Sequence, residues 1–297
     1  SNNYTTAIGS VATATGENAT AIGGKASATS EGAQALGYQS NASGYQSNAI
    51  GWNAGASGIT SNAIGWNANA TAHDATAIGS GAKAKARNAT AIGSGATADR
   101  DDATALGYGA NASGWSSFAQ GSSALASGDK SISIGASSKA TADRSIAIGD
   151  EASTDNQSAS NTSTTKTQTN RQSVAIGPRT QAWGDQSTAI GNNVKSSGNS
   201  SVAIGGDDIV IVKSQYEGLY QSITGQALPG GNPATESAGG ASVAVGVGAS
   251  SQGQFSTAIG MTSSSSGDGA VAMGPTANAS GEAGVAIGIA SQASAKK

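Results

Sequence analysis

The sequence lacks cysteine entirely, which removes disulfides and cysteine-bound metals from consideration. Charged residues are also scarce, at 11% of the 297 residues, and the net charge of −3 offers nucleic acid no basic surface. Aromatic residues make up only 4%, and no run of about 18 apolar residues could span a membrane. This composition argues against two ordinary globular domains, which the length alone would allow.

Small residues dominate instead, with 44 glycines and a large excess of alanine, serine, threonine and asparagine. A tripeptide of a small residue, an aliphatic residue and glycine recurs every 14 residues, and only Gln120 and Thr162 spoil its first run. A strict short period indicates stacked, near-identical structural units. The aliphatic residues of this repeat are Ile8, Ile22, Leu36, Ile50, Ile64, Ile78, Ile92, Leu106, Ile134, Ile148, Ile176, Ile190, Ile204, Val245, Ile259, Met273 and Ile287.

Each repeat predicts two short strands and two tight turns, because small and branched residues alternate between glycines. We call one such 14-residue unit a coil. In a strand, residues i and i+2 share a face, so Val202 and Ile204 point one way and Ala203 the other. Alanine and serine would then fill a thin interior and leave the aliphatic residues as an outer column. This column either lies inside a larger roll or meets the same column on sister chains, and we favour sister chains.

Nineteen coils at the strand spacing of about 4.8 Å predict a rod of roughly 90 Å. A single thin coil buries too little apolar area to offset the entropy of ordering the chain. We therefore expect stacking and side-by-side association to supply the stability. The sequence starts and stops within the repeat, so we also expect it to be a piece of a longer protein.

Three segments carry a family resemblance: Asn199–Gly205 (NSSVAIG), Gln172–Gly177 (QSVAIG) and Gln186–Gly191 (QSTAIG). They resemble the YadA-like head of trimeric autotransporter adhesins. The resemblance implies an all-β fold: a single-stranded, left-handed parallel β-roll, or solenoid, of 14-residue coils assembled as a parallel homotrimer. It also implies a cell-surface adhesin without catalysis or cofactor, held in the outer membrane by a missing C-terminal domain. Its partners would be itself and an extracellular matrix protein, host cell, abiotic surface or sister bacterium, with roles in virulence and biofilms.

Two interruptions divide the chain into three parts. Residues 1–205 are predicted as head β-roll, with a degenerate coil or polar loop near 156–170, of which we favour the loop because glycine is absent there. Residues 206–240 are predicted as a head insert, and residues 241–297 as the continuing roll. The insert resembles the head-insert motifs of the family in its Gly-Asp-Asp start and its later tyrosine and Thr-Gly.

The insert carries the densest apolar run of the chain, which should not face water. We interpret it as a hairpin that packs across a neighbouring chain and locks the trimer. The alternative is a protruding surface that contacts a receptor. The candidate residues for either role are Ile209, Val210, Ile211, Val212, Tyr216 and Tyr220.

A second candidate site is a set of aromatic residues two positions after the aliphatic residue. Tyr38, Trp52 and Trp66 are 14 residues apart, so they should stack on successive coils. Such a set either stiffens a turn and packs on the adjacent subunit, or grips a ligand or an abiotic material. Tyr108 occupies the same position in a later coil, and Tyr45 and Trp115 occupy the equivalent position in the half-repeat.

Residues for catalysis or metal binding do not form a recognisable pattern. The single histidine, His73, falls at a predicted solvent-facing turn, and Asp101 and Asp102 match no calcium-binding loop. We therefore expect no enzyme, cofactor or metal site. The alternative function is a monomeric ice- or mineral-binding β-solenoid, which would need a flat threonine array. Gln34, Asn48 and Asn62 interrupt the threonines that recur two positions before the aliphatic residue.

Overall fold

The computed structural model describes residues 4–154 and 172–294. The chain divides into two compact units, Ser1–Thr141 and Ala142–Lys297. Each unit is a parallel β-solenoid in which one long strand and one short strand alternate along the chain. This arrangement confirms the predicted all-β solenoid of 14-residue coils.

In the first unit, every long strand has three residues and every short strand has two. The long strands are Thr6–Ile8, Thr20–Ile22, Gln34–Leu36, Asn48–Ile50, Asn62–Ile64, Thr76–Ile78, Thr90–Ile92, Thr104–Leu106, Phe118–Gln120 and Ile132–Ile134. The short strands are Thr13–Ala14, Ser27–Ala28, Asn41–Ala42, Gly55–Ala56, Asn69–Ala70, Lys83–Ala84, Thr97–Ala98, Asn111–Ala112, Leu125–Ala126 and Lys139–Ala140.

Register in the first unit follows the sequence period without slippage. Ile78 pairs with Ile92 in the parallel sheet of long strands, and Ala84 pairs with Ala98 in the parallel sheet of short strands. Because equivalent residues of consecutive coils pair, any side chain placed at one position forms a column along the sheet. The candidate sites are therefore columns of side chains at equivalent positions of consecutive coils.

Over its described residues, 142–154 and 172–294, the second unit repeats the pattern with two longer strands and one helix. Its long strands are Ile146–Ile148, Val174–Ile176, Thr188–Gly191, Val202–Gly205, Val243–Val245, Thr257–Ile259, Val271–Met273 and Val285–Ile287. Its short strands are Gln181–Ala182, Lys195–Ser196, Glu236–Ser237, Ser250–Ser251, Ser264–Ser265, Asn278–Ala279 and Gln292–Ala293.

The interior of most coils is filled by alanine or serine, as the alternation predicts, whereas the second unit also buries the larger Val194, Thr180 and Thr235. In the first unit Ala91 and Ala98 are fully buried, one from each sheet. Serine replaces many of these alanines in the second unit, where Ser251 Oγ and Ser256 Oγ lie 2.6 Å apart across the interior. A buried hydroxyl needs a hydrogen-bond partner, and this pairing supplies one without widening the coil.

Tight turns require glycine after the aliphatic residue. Gly65 has φ +133°, and a Cβ atom built on it would lie 2.6 Å from the carbonyl oxygen of Gly79 in the next coil. Neither the backbone conformation nor the coil spacing leaves room for a side chain there. The recurring glycine of the tripeptide is therefore a condition for stacking.

The first interruption falls mostly outside the described residues. Ile148 pairs directly with Ile176, so the register advances by 28 residues there instead of 14. The loop predicted near 156–170 lies outside the residues that the structure describes, as does Thr162 of the spoiled repeat.

The second interruption is a helix, and the predicted hairpin is wrong. Helix α1 spans Ile209–Thr224 and ends at Gly225, whose φ of 71° and N–H bond to the carbonyl of Gln221 cap it. The β-branched run at its start favours a strand by propensity, but one face of the helix packs on the roll. Glu236–Ser237 already pairs with Lys195–Ser196, so the roll resumes before residue 240.

Helix α1 is attached to its own unit by buried and polar contacts. Ile209 is fully buried, and Tyr220 donates or accepts a 2.5 Å hydrogen bond with Thr276 Oγ1 on the roll. Lys213 Nζ donates to the carbonyl of Leu228 at 2.8 Å, which ties the helix to the segment that leads back into the roll. The insert therefore has a fixed position within the second unit.

Candidate functional site

Three aromatic rings stack on consecutive coils of the first unit, as predicted. The ring centroids of Tyr38 and Trp52 lie 6.5 Å apart at 13°, and those of Trp52 and Trp66 lie 5.6 Å apart at 8°. All three side chains are exposed. We call Tyr38, Trp52 and Trp66 the aromatic ladder.

Backbone hydrogen bonds fix the spacing of the aromatic ladder. The N–H of Asn53 donates to the carbonyl of Tyr38 at 2.9 Å, and the N–H of Asn67 donates to that of Trp52 at 3.0 Å. Both asparagines have positive φ, a conformation that asparagine tolerates better than most residues. Their side chains form a parallel column, in which Asn53 Nδ2 donates to Asn67 Oδ1 at 2.5 Å.

A polar groove runs beside the aromatic ladder, from Gln39 in the coil of Tyr38 to Gly81 in the coil after Trp66. It has a volume of about 480 Å³, and Trp66 and Gly81 line it on the turn side. Asn41, Gly55 and Lys83 line it on the side of the short strands. The ladder stops at Trp66 because the next coil carries the small, exposed Ser80 in the ring position.

The other predicted aromatic residues do not join the ladder. Tyr108 occupies the same turn but is separated from Trp66 by two coils that carry Ser80 and Ser94. Tyr45 and Trp115 belong to the other turn of the coil. Arg100 lies over the ring of Trp115 at 5.8 Å, a cation–π contact that the sequence did not indicate.

The aliphatic column is partly exposed in both units. Ile22 and Ile92 of the first unit are each 39% exposed, and Ile204 of the second unit has the same value. These side chains point away from the alanine interior, as the alternation predicts. Within one chain, the column is therefore an apolar surface on the outside of the sheet of long strands.

The candidate contact residues of the insert fall into two groups by their exposure. Ile209 and Tyr220 are buried against their own chain, whereas Val210, Ile211 and Tyr216 are exposed and Val212 is half-buried. An apolar groove of about 180 Å³ lies between the helix and the roll, lined by Val212, Tyr216, Leu219, Tyr220, Ile223, Leu228, Met261, Pro275 and Ile289.

His73 lies on an exposed turn, where its Nδ1 is 2.5 Å from Asp74 Oδ2. Thr60 donates a hydrogen bond to Asp74 Oδ1, and this bond lowers the pKa of Asp74 below its ordinary value. Within residues 4–154 and 172–294, no cluster of three histidine, cysteine, aspartate or glutamate side chains could hold a metal ion. No helix in the same ranges is long and apolar enough to cross a membrane.

Comparison with protein families finds the YadA head domain repeat along almost the whole sequence. The chain belongs to this family. The matched ranges are 1–26, 28–54, 56–82, 84–110, 112–138, 126–152, 169–193, 237–263, 265–291 and 279–296. They fall in both units and leave out 153–168 and 194–236, which hold most of the first interruption, the roll strands Lys195–Ser196 and Val202–Gly205, and the insert. The resemblance carried by the repeat tripeptides is thereby confirmed.

Among solved structures, the YadA-type chain is similar to the crystal structure of the collagen-binding domain of the Yersinia adhesin YadA. The two are 22% identical over 65% of this chain and 83% of that chain, with a TM-score of 0.26. No curated protein gives a significant match.

The groove of this YadA-type roll was missed by sequence reasoning. Its lining depends on Gly55 and Gly81, which lie in different parts of the repeat and meet only when coils stack. A signal was nevertheless present. At the position of Gly55, the paired coils carry the side chains of Asn41 and Asn69. At the position of Gly81, the preceding coil carries the side chain of Asn67.

Proposed function

We propose that the chain is the non-catalytic head of a trimeric cell-surface adhesin. The observation that carries this proposal is the YadA head repeat, which matches the sequence of both units. The head would be anchored in an outer membrane through a C-terminal domain outside this sequence. It would attach to an extracellular matrix protein, a host cell, an abiotic surface or a sister bacterium, and thereby serve virulence or biofilm formation.

The homotrimer would cover the aliphatic column. Ile22, Ile64 and Ile92 expose more than a third of their side chains at regular intervals, and stacked isoleucines form an apolar stripe. Soluble proteins cover large apolar surfaces by association. Three parallel chains around one axis would bring the three columns together, coil against coil.

The aromatic ladder would be a contact surface for the ligand. Tryptophan and tyrosine supply much of the binding energy of protein interfaces, and here they project from a turn that the backbone already holds in place. A preformed surface binds without the entropy cost of ordering side chains. The exposed residues of helix α1, Val210, Ile211 and Tyr216, would instead pack on a neighbouring chain and clamp the trimer.

An adhesion assay tests the proposal. Latex beads coated with the purified chain would be applied to fibrillar collagen, fibronectin, epithelial monolayers, polystyrene and a layer of the same chain. We expect attachment to at least one of these surfaces well above that of albumin-coated beads, and weaker attachment when Tyr38, Trp52 and Trp66 are replaced by serine. Attachment to none of the surfaces contradicts the adhesin role.

A further inference from the structure

We propose that the groove beside Trp66 binds a neutral oligosaccharide, with one sugar ring stacked on the indole face that the ladder leaves uncovered. This inference rests on the adhesin role proposed above and names the chemical class of ligand. It follows from three features of the first unit: the end of the aromatic ladder, the end of an amide column and two glycines that open the groove.

One ring of the aromatic ladder, Trp66, lines the groove and has a face with no stacked neighbour. Trp52 is stacked on both sides, whereas Trp66 has a stacked neighbour only in the preceding coil. The next coil offers Ser80 in the ring position, so a fourth planar group could occupy the vacant place. A pyranose ring has an apolar face of C–H groups, which packs on an aromatic face as other apolar rings do.

The amide column also lines the groove and ends within it. Asn53 Nδ2 donates to Asn67 Oδ1, but the following coil carries Gly81, which has no side chain to accept from Asn67 Nδ2. Asn41 and Asn69 line the groove from the short strands. Each amide offers both donors and an acceptor, which matches sugar hydroxyl groups because a hydroxyl also donates and accepts.

Two glycines create the space. A Cβ atom at Gly81 would meet nothing within 4 Å, and one at Gly55 would meet only Asn69 Oδ1 at 3.5 Å. Gly55 has no positive φ, so the backbone there would accept any side chain. The fold does not need glycine at this position, and the groove is a local departure from the repeat.

The size and lining of the groove suit a neutral sugar. Its volume of about 480 Å³ falls within the range of roughly 300–1,000 Å³ usual for small-molecule sites. Apart from Lys83, the residues that line it are neutral, and their amide groups and indole ring match the hydroxyl groups and the C–H face of a sugar. A proline-rich peptide also stacks on aromatic rings, but a proline has no N–H to donate to the asparagine oxygens.

Two variants close the groove without altering the backbone. Ser80→Trp adds a fourth ring that covers the free face of Trp66. Gly55→Leu places a side chain in the open space of the groove above the short strand Gly55–Ala56. Leucine is compatible with this position because Leu125 occupies it in another coil. The matched controls are Ser94→Trp and Thr97→Leu, which place the same side chains at the same positions of coils outside the groove.

The experiment titrates the full chain and the four variants with chitohexaose, cellohexaose and mannohexaose, and separately with a (Pro-Pro-Gly)-repeat peptide. Tryptophan fluorescence and calorimetry would record binding, and circular dichroism would confirm that each variant is folded. We expect at least one hexasaccharide to bind the unaltered chain and both controls. We expect its affinity for each groove variant to be lower by up to about tenfold, because the loss of one stacked ring costs up to that factor.

Three results would overturn the inference: no binding of any hexasaccharide, equal binding by groove variants and controls, or occupation of the groove by a (Pro-Pro-Gly)-repeat peptide instead. The bead assay separates this failure from failure of the adhesin role. Beads that attach to a surface although no hexasaccharide binds would leave the adhesin role standing and remove only the sugar. Beads that do not attach would remove the role itself.

Discussion

The indole rings of Trp52 and Trp66 lie nearly parallel on consecutive coils, with centroids 5.6 Å apart. The 14-residue period places the two side chains in register, and their faces therefore meet. The solenoid thereby turns a repeated sequence position into a continuous aromatic surface. The open ring face belongs to Trp66, at the end of this surface, because Trp52 in the middle is stacked on both sides.

Replacing Tyr38, Trp52 and Trp66 together by serine should leave the roll folded. Serine already occupies this position at Ser80 and Ser94, and each lost ring pair should cost about 0.5–1.5 kcal/mol of stability. Thermal denaturation followed by circular dichroism would show a modest fall in Tm, and bead attachment would decrease. Tyr108→Ser, which removes an unstacked ring, is the control. Collapse of the fold would show instead that the ladder is structural.

Gly65→Ala should destabilise the roll far more than its small size suggests. Its Cβ would overlap the carbonyl of Gly79, and its φ of +133° suits no side chain. We expect a loss of several kcal/mol, on the scale of other overpacked or strained sites, visible as a large fall in Tm. Gly81→Asn is the control, because Asn67 holds the same place in the preceding coil and the space is open. Equal effects of the two would contradict the close-approach argument.

The sequence was sufficient to predict the roll, because the 14-residue period determines the register of the paired strands. Once Ile78 and Ile92 are known to pair, the burial of Ala91 and the stacking of Trp52 on Trp66 follow from strand geometry. Helix α1 was not predicted, because Ile209–Val212 is a β-branched run and its helical state depends on packing against the roll. Propensity is a weak guide where tertiary contacts decide.

Deleting residues 208–234 should remove helix α1 and restore the 14-residue spacing across the junction. Asp207 would then connect directly to Thr235, which is buried in the roll. Far-ultraviolet circular dichroism should lose its helical component and keep its β component. We expect the proposed trimer to melt at a lower temperature, because the exposed residues of the helix would no longer clamp a neighbour.

Tyr220→Phe provides a milder control for the deletion. It removes only the hydrogen bond to Thr276 and should cost about 0.5–1.5 kcal/mol while the helix remains. A deletion variant that keeps its full thermal stability but loses adhesion would reverse the assignment and make the insert a receptor-binding element.

The hydrogen bond from Thr60 lowers the pKa of Asp74, with a smaller contribution from His73. A carboxyl whose pKa is depressed in the folded state stabilises the fold above its ordinary pKa of 3.8, and this contribution is lost as pH falls through the folded-state pKa. Thr60→Val should therefore raise the pKa of Asp74, as measured by carbon-detected NMR titration. Thr71→Val, whose hydroxyl does not contact Asp74, should leave it unchanged.

The exposed aliphatic column connects the fold to the proposed assembly. Replacing Ile92 by aspartate puts a charge into that column, and a buried unpaired charge costs several kcal/mol unless it is relieved. In a trimer the charge would occur three times in one layer, so we expect dissociation or a large fall in Tm. Thr97→Asp, on the sheet of short strands, should change neither the molar mass of the assembly nor its Tm.

Multi-angle light scattering of the unaltered chain tests the central claim most directly. The account of a trimeric head predicts a molar mass three times that of one chain, unchanged on dilution to low micromolar concentration. A stable monomer with the same circular dichroism would contradict it, because the aliphatic column would then face water along the sheet of long strands.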